Sequence, residues 1–425
     1  MHSFVIRYKN ILYGVLGICL FQGIISDYLG FRQVNYLCDI LLVLLFIVML
    51  CRKQVKLKTT ANSIEYISIL AFAMVVLIGW GLNTVNLPSA IWGLRNYGRF
   101  FLFFLLGKSL WSSEDVVTME NFFMKLFPIH MILIAFQYIV EGLNQDFLSG
   151  LFGKTAGGNG GLMIYLSVIL CIVICQFDHK KISTKKFGIY LLLIFVNAAL
   201  SELKFLFVIA VLLVIWYLAM SKRKGRGMVL ALFFMIALYV GMQIFYYVFP
   251  FWANYLSFDN IMTMISDQEV YANPFDVGRT AVFSKLTPII TKWAGQHAIW
   301  FGIGLGNGDY SDAIPMLNSA FYTVYGIIHY TWLSLGYLFV EVGYLGTIAY
   351  LSFFVILEIR AIVTYQKRST YYNLLGTFFP IVFMIIIVYN STLRSNFAYM
   401  VFAVLTWQVL ADEKKEESGC DSKIY

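Results

Sequence analysis

Apolar residues in this chain fall in long unbroken runs, and polar residues gather in the joints between them. Runs of roughly 20 residues recur along the whole length, which is the length of helix needed to cross hydrocarbon. Twelve spans can be placed, near 10–29, 36–51, 64–84, 89–110, 119–140, 161–177, 187–201, 205–220, 228–249, 331–357, 373–390 and 395–411. The seventh and eighth form a tight hairpin. Most joints are short. The exceptions run from about 141 to 160 and from about 250 to 330, the second lying between spans nine and ten. Both are too long for simple connectors, which points to function. Within the second, Leu286, Ile289, Ile290, Trp293 and Trp300 recur at a spacing that predicts a short amphipathic helix at the lipid interface.

Composition fixes the class. The chain has 425 residues, 60% hydrophobic and 13% charged, where a soluble domain has roughly half and a quarter. The expectation is an all-α, polytopic integral membrane protein of about twelve transmembrane helices. It forms a single membrane domain over residues 1–425, with a large extracytoplasmic loop at about 250–330 and a charged, disordered tail at about 412–425. The first span follows Arg7 and Lys9 with no small-residue cleavage site, so it reads as a retained helix.

Charge then sets the orientation. Lys and Arg cluster at 52–58, 180–186, 222–226 and 360–368, all on one side if there are twelve spans. By the positive-inside rule that side, with both termini, is the cytoplasm. The net charge of +8 is therefore a topology signal, with membrane lipids as its partner and no nucleic acid implied. None of the six cysteines lies in a long joint, so no disulfide framework is expected. Cys171 and Cys175 lack His or carboxylate neighbours, and no metal site is read there.

The candidate chemistry sits on the opposite, outer side. Arg95 and Arg99 lie four apart on the fourth span and share a helix face. They serve either as structural partners of a buried carboxylate such as Glu341 or as an anion site. Ser201–Lys204 forms the outer turn of the seventh–eighth hairpin, with Lys204 a polar turn residue or a cation for substrate. Arg279 follows Gly278 in the long loop. The run Gly302, Gly304, Gly306 and Asn307 is a connector or a nest of amides for an anion. It lacks a following Lys-Ser/Thr, so nucleotide binding is not expected. His329 stands at the mouth of the tenth span, as a polar anchor or as a general base titrating near neutral pH. His297 and His130 carry less weight.

Taken in order, these motifs resemble the O-antigen polymerase and O-antigen ligase superfamily of bacterial polysaccharide assembly. The resemblance is sharpest from about Ala198 to Leu351. It rests on Ser201 to Lys204, then Gly278-Arg279, then Gly302, Gly304 and Gly306, then His329, then Glu341, Gly343 and Gly346. One departure is Lys204, where the family often has arginine; lysine lacks the bidentate fork.

The resemblance implies a glycosyltransferase of the bacterial plasma membrane. Its donor is an undecaprenyl-pyrophosphate-linked oligosaccharide. A sugar hydroxyl attacks the anomeric carbon and the lipid pyrophosphate leaves, without metal or other cofactor. His329 is then the catalytic residue. Arg279, Lys204, Arg95, Arg99, Gly304, Gly306 and Asn307 hold substrate. Flippase and chain-length regulator proteins are the implied partners. A leaving pyrophosphate needs cations where its charge develops, and no Asp-x-Asp pair stands in an outer loop to supply them through a metal. By analogy the polymerase reading is preferred to the ligase, which hands the glycan to a different acceptor. A lipid-linked oligosaccharide flippase or transporter is the rival class. It fits twelve spans, but here the halves do not look alike and the longest loop is not central.

Overall fold

The computed structural model describes residues 8–52, 64–251, 276–311 and 314–420. Among them there is no strand. The chain is an all-α polytopic membrane protein, with eight helices long and apolar enough to cross a membrane by length and composition.

Every run expected to span has a helical counterpart. They are α1 (Tyr8–Asp27), α2 (Val34–Cys51), α3 (Glu65–Asn83), α4 (Leu87–Leu110), α5 (Ser113–Ile139), α6 (Gly158–Asp178), α7 (Thr184–Leu200), α8 (Lys204–Met220) and α9 (Lys224–Val248). The loop then carries α10 (Val282–Ala294), α11 (Ala298–Phe301) and α12 (Ala320–Tyr325). The chain ends with α13 (Ser334–Lys367), α14 (Tyr371–Gly376), α15 (Phe379–Tyr389) and α16 (Ala398–Cys420).

What each helix buries follows from its pattern. α6 is apolar all round, and nearly all of it is buried at the centre, against α7, α8, α14 and α16. α2 and α3 instead turn Leu37, Ile40, Leu44, Ile67, Leu70 and Leu77 outward, 41–66% exposed. A continuous apolar exterior of this kind suits hydrocarbon and not water. α10 buries Val282, Leu286 and Ile290, and its Phe283 packs on Phe339 and Tyr344 of α13. The loop is thereby pinned onto the bundle.

Three boundaries differ from the sequence expectation. The tenth span is longer, and α13 bends at Gly343, whose φ of +63° lies in the left-handed region. A Cβ there would stand 2.5 Å from the carbonyl carbon of Trp300; only glycine lets the loop approach so closely. The eleventh span is broken into α14 and α15. Pro380 in the first turn of α15 has no N–H to continue the ladder, and Trp216 Nε1 donates to the Thr377 carbonyl at 2.9 Å. The tail expected to be disordered from about 412 continues as helix to Cys420. The segment after Asp412 is rich in Glu and Lys, good helix formers that extend a helix already nucleated by the preceding span.

The two ends of the bundle differ in chemistry. At one end, Lys9 pairs with Asp115 and Lys108 with Glu65, both at 2.7 Å, and Arg223 and Arg226 both donate to the Asp178 carbonyl. That end carries the basic joints, including a cavity of about 690 Å³ lined by His179, Lys180, Arg223 and Arg226. The other end gathers every residue singled out from the sequence.

Candidate functional site

At this second end two of the candidates, Arg279 and Lys204, meet around Tyr389, the last residue of α15. Arg279 Nε donates to the Tyr389 carbonyl at 2.9 Å, and its guanidinium lies over the Tyr389 ring at 4.4 Å. The other side of the group is built by α8: Phe205 stacks on Tyr389 with ring centres 3.9 Å apart. Lys204 precedes it and pairs with Glu202 at 2.9 Å. A pocket of about 170 Å³ opens here, lined by Asp146, Asn159, Glu202, Lys204, Tyr389 and Asn390. Burial and the neighbouring Glu202 push the Asp146 carboxyl above its usual range, against the opposing pull of Lys204.

His329 joins this group through the backbone. Val277 N–H donates to the Ile328 carbonyl at 2.9 Å, which lays the 276–279 segment beside the histidine. The imidazole Nδ1 lies 2.8 Å from Asp276 Oδ1. With an ionised Asp276, that contact assigns the proton to Nδ1 and leaves Nε2 as the acceptor. The ring stacks on Trp332 at 3.9 Å and is about one-third exposed. The residue itself has φ +54°, a left-handed conformation uncommon for a non-glycine and one that clusters at functional sites. Asp276, two residues before Gly278, carried no sequence signal of its own. Only the fold makes it the partner of a residue 53 positions away.

Arg95 and Arg99 take part in a different cluster. Both pair with Asp39 of α2, at 2.7 and 2.8 Å. Arg99 also donates to the Arg394 carbonyl at 2.8 Å and to Asn396 Oδ1 at 2.7 Å. The carboxylate that holds them is thus Asp39, and not Glu341 as the sequence had offered. Glu341 is fully buried with its Oε2 3.8 Å from Arg394. Arg394 itself bonds Asp309, which also accepts from Asn96, and lies over the Tyr337 ring at 3.4 Å. Asp309 and Arg394 were missed because each stands in a joint between spans; Asp39 lies within the second span, where a lone carboxylate among apolar residues was the available signal. Their partners lie on other elements.

The glycine run closes on itself. Gly302, Gly304 and Gly306 all have positive φ. The Ile303 and Gly304 amides donate to the Val340 and Glu341 carbonyls, at 2.9 and 3.1 Å. The Gly306 amide donates to Glu341 Oε1 at 3.0 Å. The spacing leaves a connector or a nest of amides open; of these three amides only that of Gly306 meets a carboxylate, the protein's own Glu341. Asn307 turns its amide to the Ile303 carbonyl at 3.0 Å. The run therefore fastens the loop to α13 and leaves those three amides engaged.

The arginine cluster borders a larger cleft of about 610 Å³, walled by α1, α2, α4 and the turn between α15 and α16. The 389–397 turn separates this cleft from the Lys204 pocket, contributing Tyr389 and Asn390 to one and Arg394 to the other. The loop aromatics Trp300, Tyr310, Tyr322 and Tyr325 are engaged with Tyr344, with each other, or with Trp293. Trp252, Tyr255 and Tyr271 lie outside the described residues. Among the described residues, no group of three or more His, Cys, Asp or Glu is placed to hold a metal ion. No protein-family model matches the chain, and no curated protein matches its sequence.

Proposed function

We propose that this protein is a membrane glycosyltransferase of the polysaccharide polymerase type. It transfers a glycan from an undecaprenyl-pyrophosphate carrier to the next lipid-linked repeat unit, on the outer face of a bacterial plasma membrane. The observation that carries the reading is the assembly of His329, Asp276, Arg279 and Lys204 around one turn at one end of an apolar bundle.

The chemistry follows from the geometry. Asp276 holds the His329 tautomer with Nε2 open. Nε2 takes the proton of the acceptor hydroxyl as its oxygen bonds to the anomeric carbon. The bond from that carbon to the pyrophosphate oxygen breaks, and the pyrophosphate leaves with the electron pair. In this reading Arg279 and Lys204 meet that developing charge, and partial shielding from water would make them worth more than in solution. The site needs no bound metal for this sequence of events. The 389–397 turn and the Tyr389 ring fix the cation relative to the base.

The test uses purified protein in liposomes with lipid-linked repeat units. Long glycan on the carrier lipid is the expected product. Transfer only to a different acceptor makes the protein a ligase. Movement of the intact lipid-linked unit across the bilayer, with no new glycosidic bond, makes it a transporter and sinks the proposal.

A further inference from the structure

The basic end of the bundle carries a cavity of about 690 Å³ that the transferase chemistry leaves unused. It lies between the joint that follows α6, which supplies Lys180, and the start of α9, which supplies Arg223 and Arg226. Arg223 and Arg226 stand three apart and so share one face of the first turn. The Asp178 carbonyl accepts from Nη1 of both, which holds the two guanidiniums side by side. No acceptor among the described residues takes Nε or Nη2 of either, and the Arg223 side chain is 45% exposed. Lys180 is exposed and has no ion-pair partner among the described residues. The cavity also opens over Gly225, beyond which there is empty space, and the start of α9 has no side-chain cap. The positive end of the helix dipole there adds to the cations.

Charge decides the kind of occupant. Lys180, Arg223 and Arg226 are three permanent cations, and among the described residues that line the cavity there is no carboxylate. Asp178 lies behind them, 1% exposed, with Oδ2 3.6 Å from Arg223 Nη1, and offsets one. Two positive charges remain. Paired guanidiniums match the oxygens of a phosphate better than any neutral group. The apolar exterior then decides the source. Met228 is 72% exposed within one turn of Gly225, and Leu218, 48% exposed, lies against Gly227. A headgroup seated on the cations can lay its acyl chains along these side chains, an attraction a soluble phosphate lacks. A zwitterionic headgroup brings its own ammonium to the same cations, so a net negative one is preferred. We infer that this cavity is a binding site for a phosphate anion, the phosphodiester of an anionic phospholipid, held by Lys180, Arg223 and Arg226. The inference does not rest on the glycosyltransferase reading.

The experiment is native mass spectrometry of the full-length protein, delipidated in non-ionic detergent and supplied with phosphatidylglycerol, phosphatidylcholine or inorganic phosphate. One phosphatidylglycerol should be retained per chain at concentrations where phosphatidylcholine is not. Lys180→Asn removes a cation, and asparagine tolerates the left-handed φ of +58° at this position. It should weaken retention roughly 5-fold, the worth of one basic side chain near an anionic lipid. Arg223→Gln should do the same, and Arg223→Lys should recover part of the loss. Lys185→Gln and Lys186→Gln change exposed lysines of the same end that lie outside the cavity, and should leave retention unchanged. Thermal melting checks that each variant is folded, and Lys180→Asn remains informative if Arg223→Gln is not. Equal retention of phosphatidylcholine overturns the inference, as does unaltered retention in Lys180→Asn. So does an equal loss in Lys185→Gln or Lys186→Gln, which makes binding a property of the whole basic end. Displacement by inorganic phosphate at equal concentration assigns the cavity to soluble phosphates and overturns the lipid assignment.

Discussion

In the proposed reaction Asp276 and His329 form the couple on which proton transfer turns, and substitution separates their roles. His329→Ala and His329→Gln should each lower polymerisation by about 100- to 10,000-fold, the usual worth of general-base help. Lipid-linked repeat units should accumulate, while donor binding persists because the cations carry it. Asp276→Asn keeps the shape but no longer enforces one tautomer, so its rate should fall between those of wild type and His329→Ala. Gel profiles of chain length read all three. Normal chains from His329→Gln reduce the histidine to an anchor packed on Trp332. Arg279 is judged differently. Arg279→Ala should abolish most activity at unchanged membrane expression, and Arg279→Lys should recover only part, because lysine cannot both lie flat on Tyr389 and donate through a fixed fork. Full activity in Arg279→Ala removes it from the site.

At the scale of elements, the helices were legible and their partnerships were not. A run such as 161–177 reads as a helix because no other backbone conformation satisfies its polar groups in hydrocarbon. That α6 is the central one cannot be read from it, since every helix here is apolar. The α10 amphipathic stretch was legible from spacing, and the Gly343 bend was not, because its cause is the approach of Trp300 and Gly302 from the loop. The residues near Tyr389 were legible one by one as isolated polar groups among apolar runs. Asp39, Asp276, Asp309 and Arg394 became visible only when the fold paired them, across separations of 53 to 85 positions in the cases of Asp276–His329 and Asp309–Arg394. The glycine run illustrates the same limit: its spacing leaves a connector or a nest of amides open, and the structure fastens it to Val340 and Glu341 of α13. Gly306→Ala tests that reading. A Cβ at position 306 would fall 2.0 Å from the Ser89 carbonyl oxygen, with φ at +97°. The backbone strain alone costs roughly 1–3 kcal/mol, and the clash adds to it, so the variant should melt well below wild type in detergent. Unchanged melting would mean that the loop is not fastened there.

Taken as a whole, the molecule is an apolar bundle with unlike ends, and the functional proposal requires a definite orientation of those ends. Lys180, Lys181, Lys185, Lys186, Lys222, Arg223 and Arg226 crowd one end, while Arg95, Arg99 and Arg394 at the other pair with carboxylates. By the positive-inside rule the first end is expected inside. In the proposal the Tyr389 group then faces outward, where a lipid-linked glycan would meet it. Single cysteines at Met316 and Lys186, in a background without the six native cysteines, distinguish the two orientations. Met316 is strongly exposed on the loop that carries α10 to α12, and Lys186 is exposed in the first turn of α7. In intact spheroplasts an impermeant maleimide should label position 316 and not 186, and lysis should expose 186. Labelling of 186 alone would put the His329 site on the cytoplasmic face. A polymerase of translocated units could not work there, and the basic end would become the outer one, against the charge rule that the whole assignment rests upon.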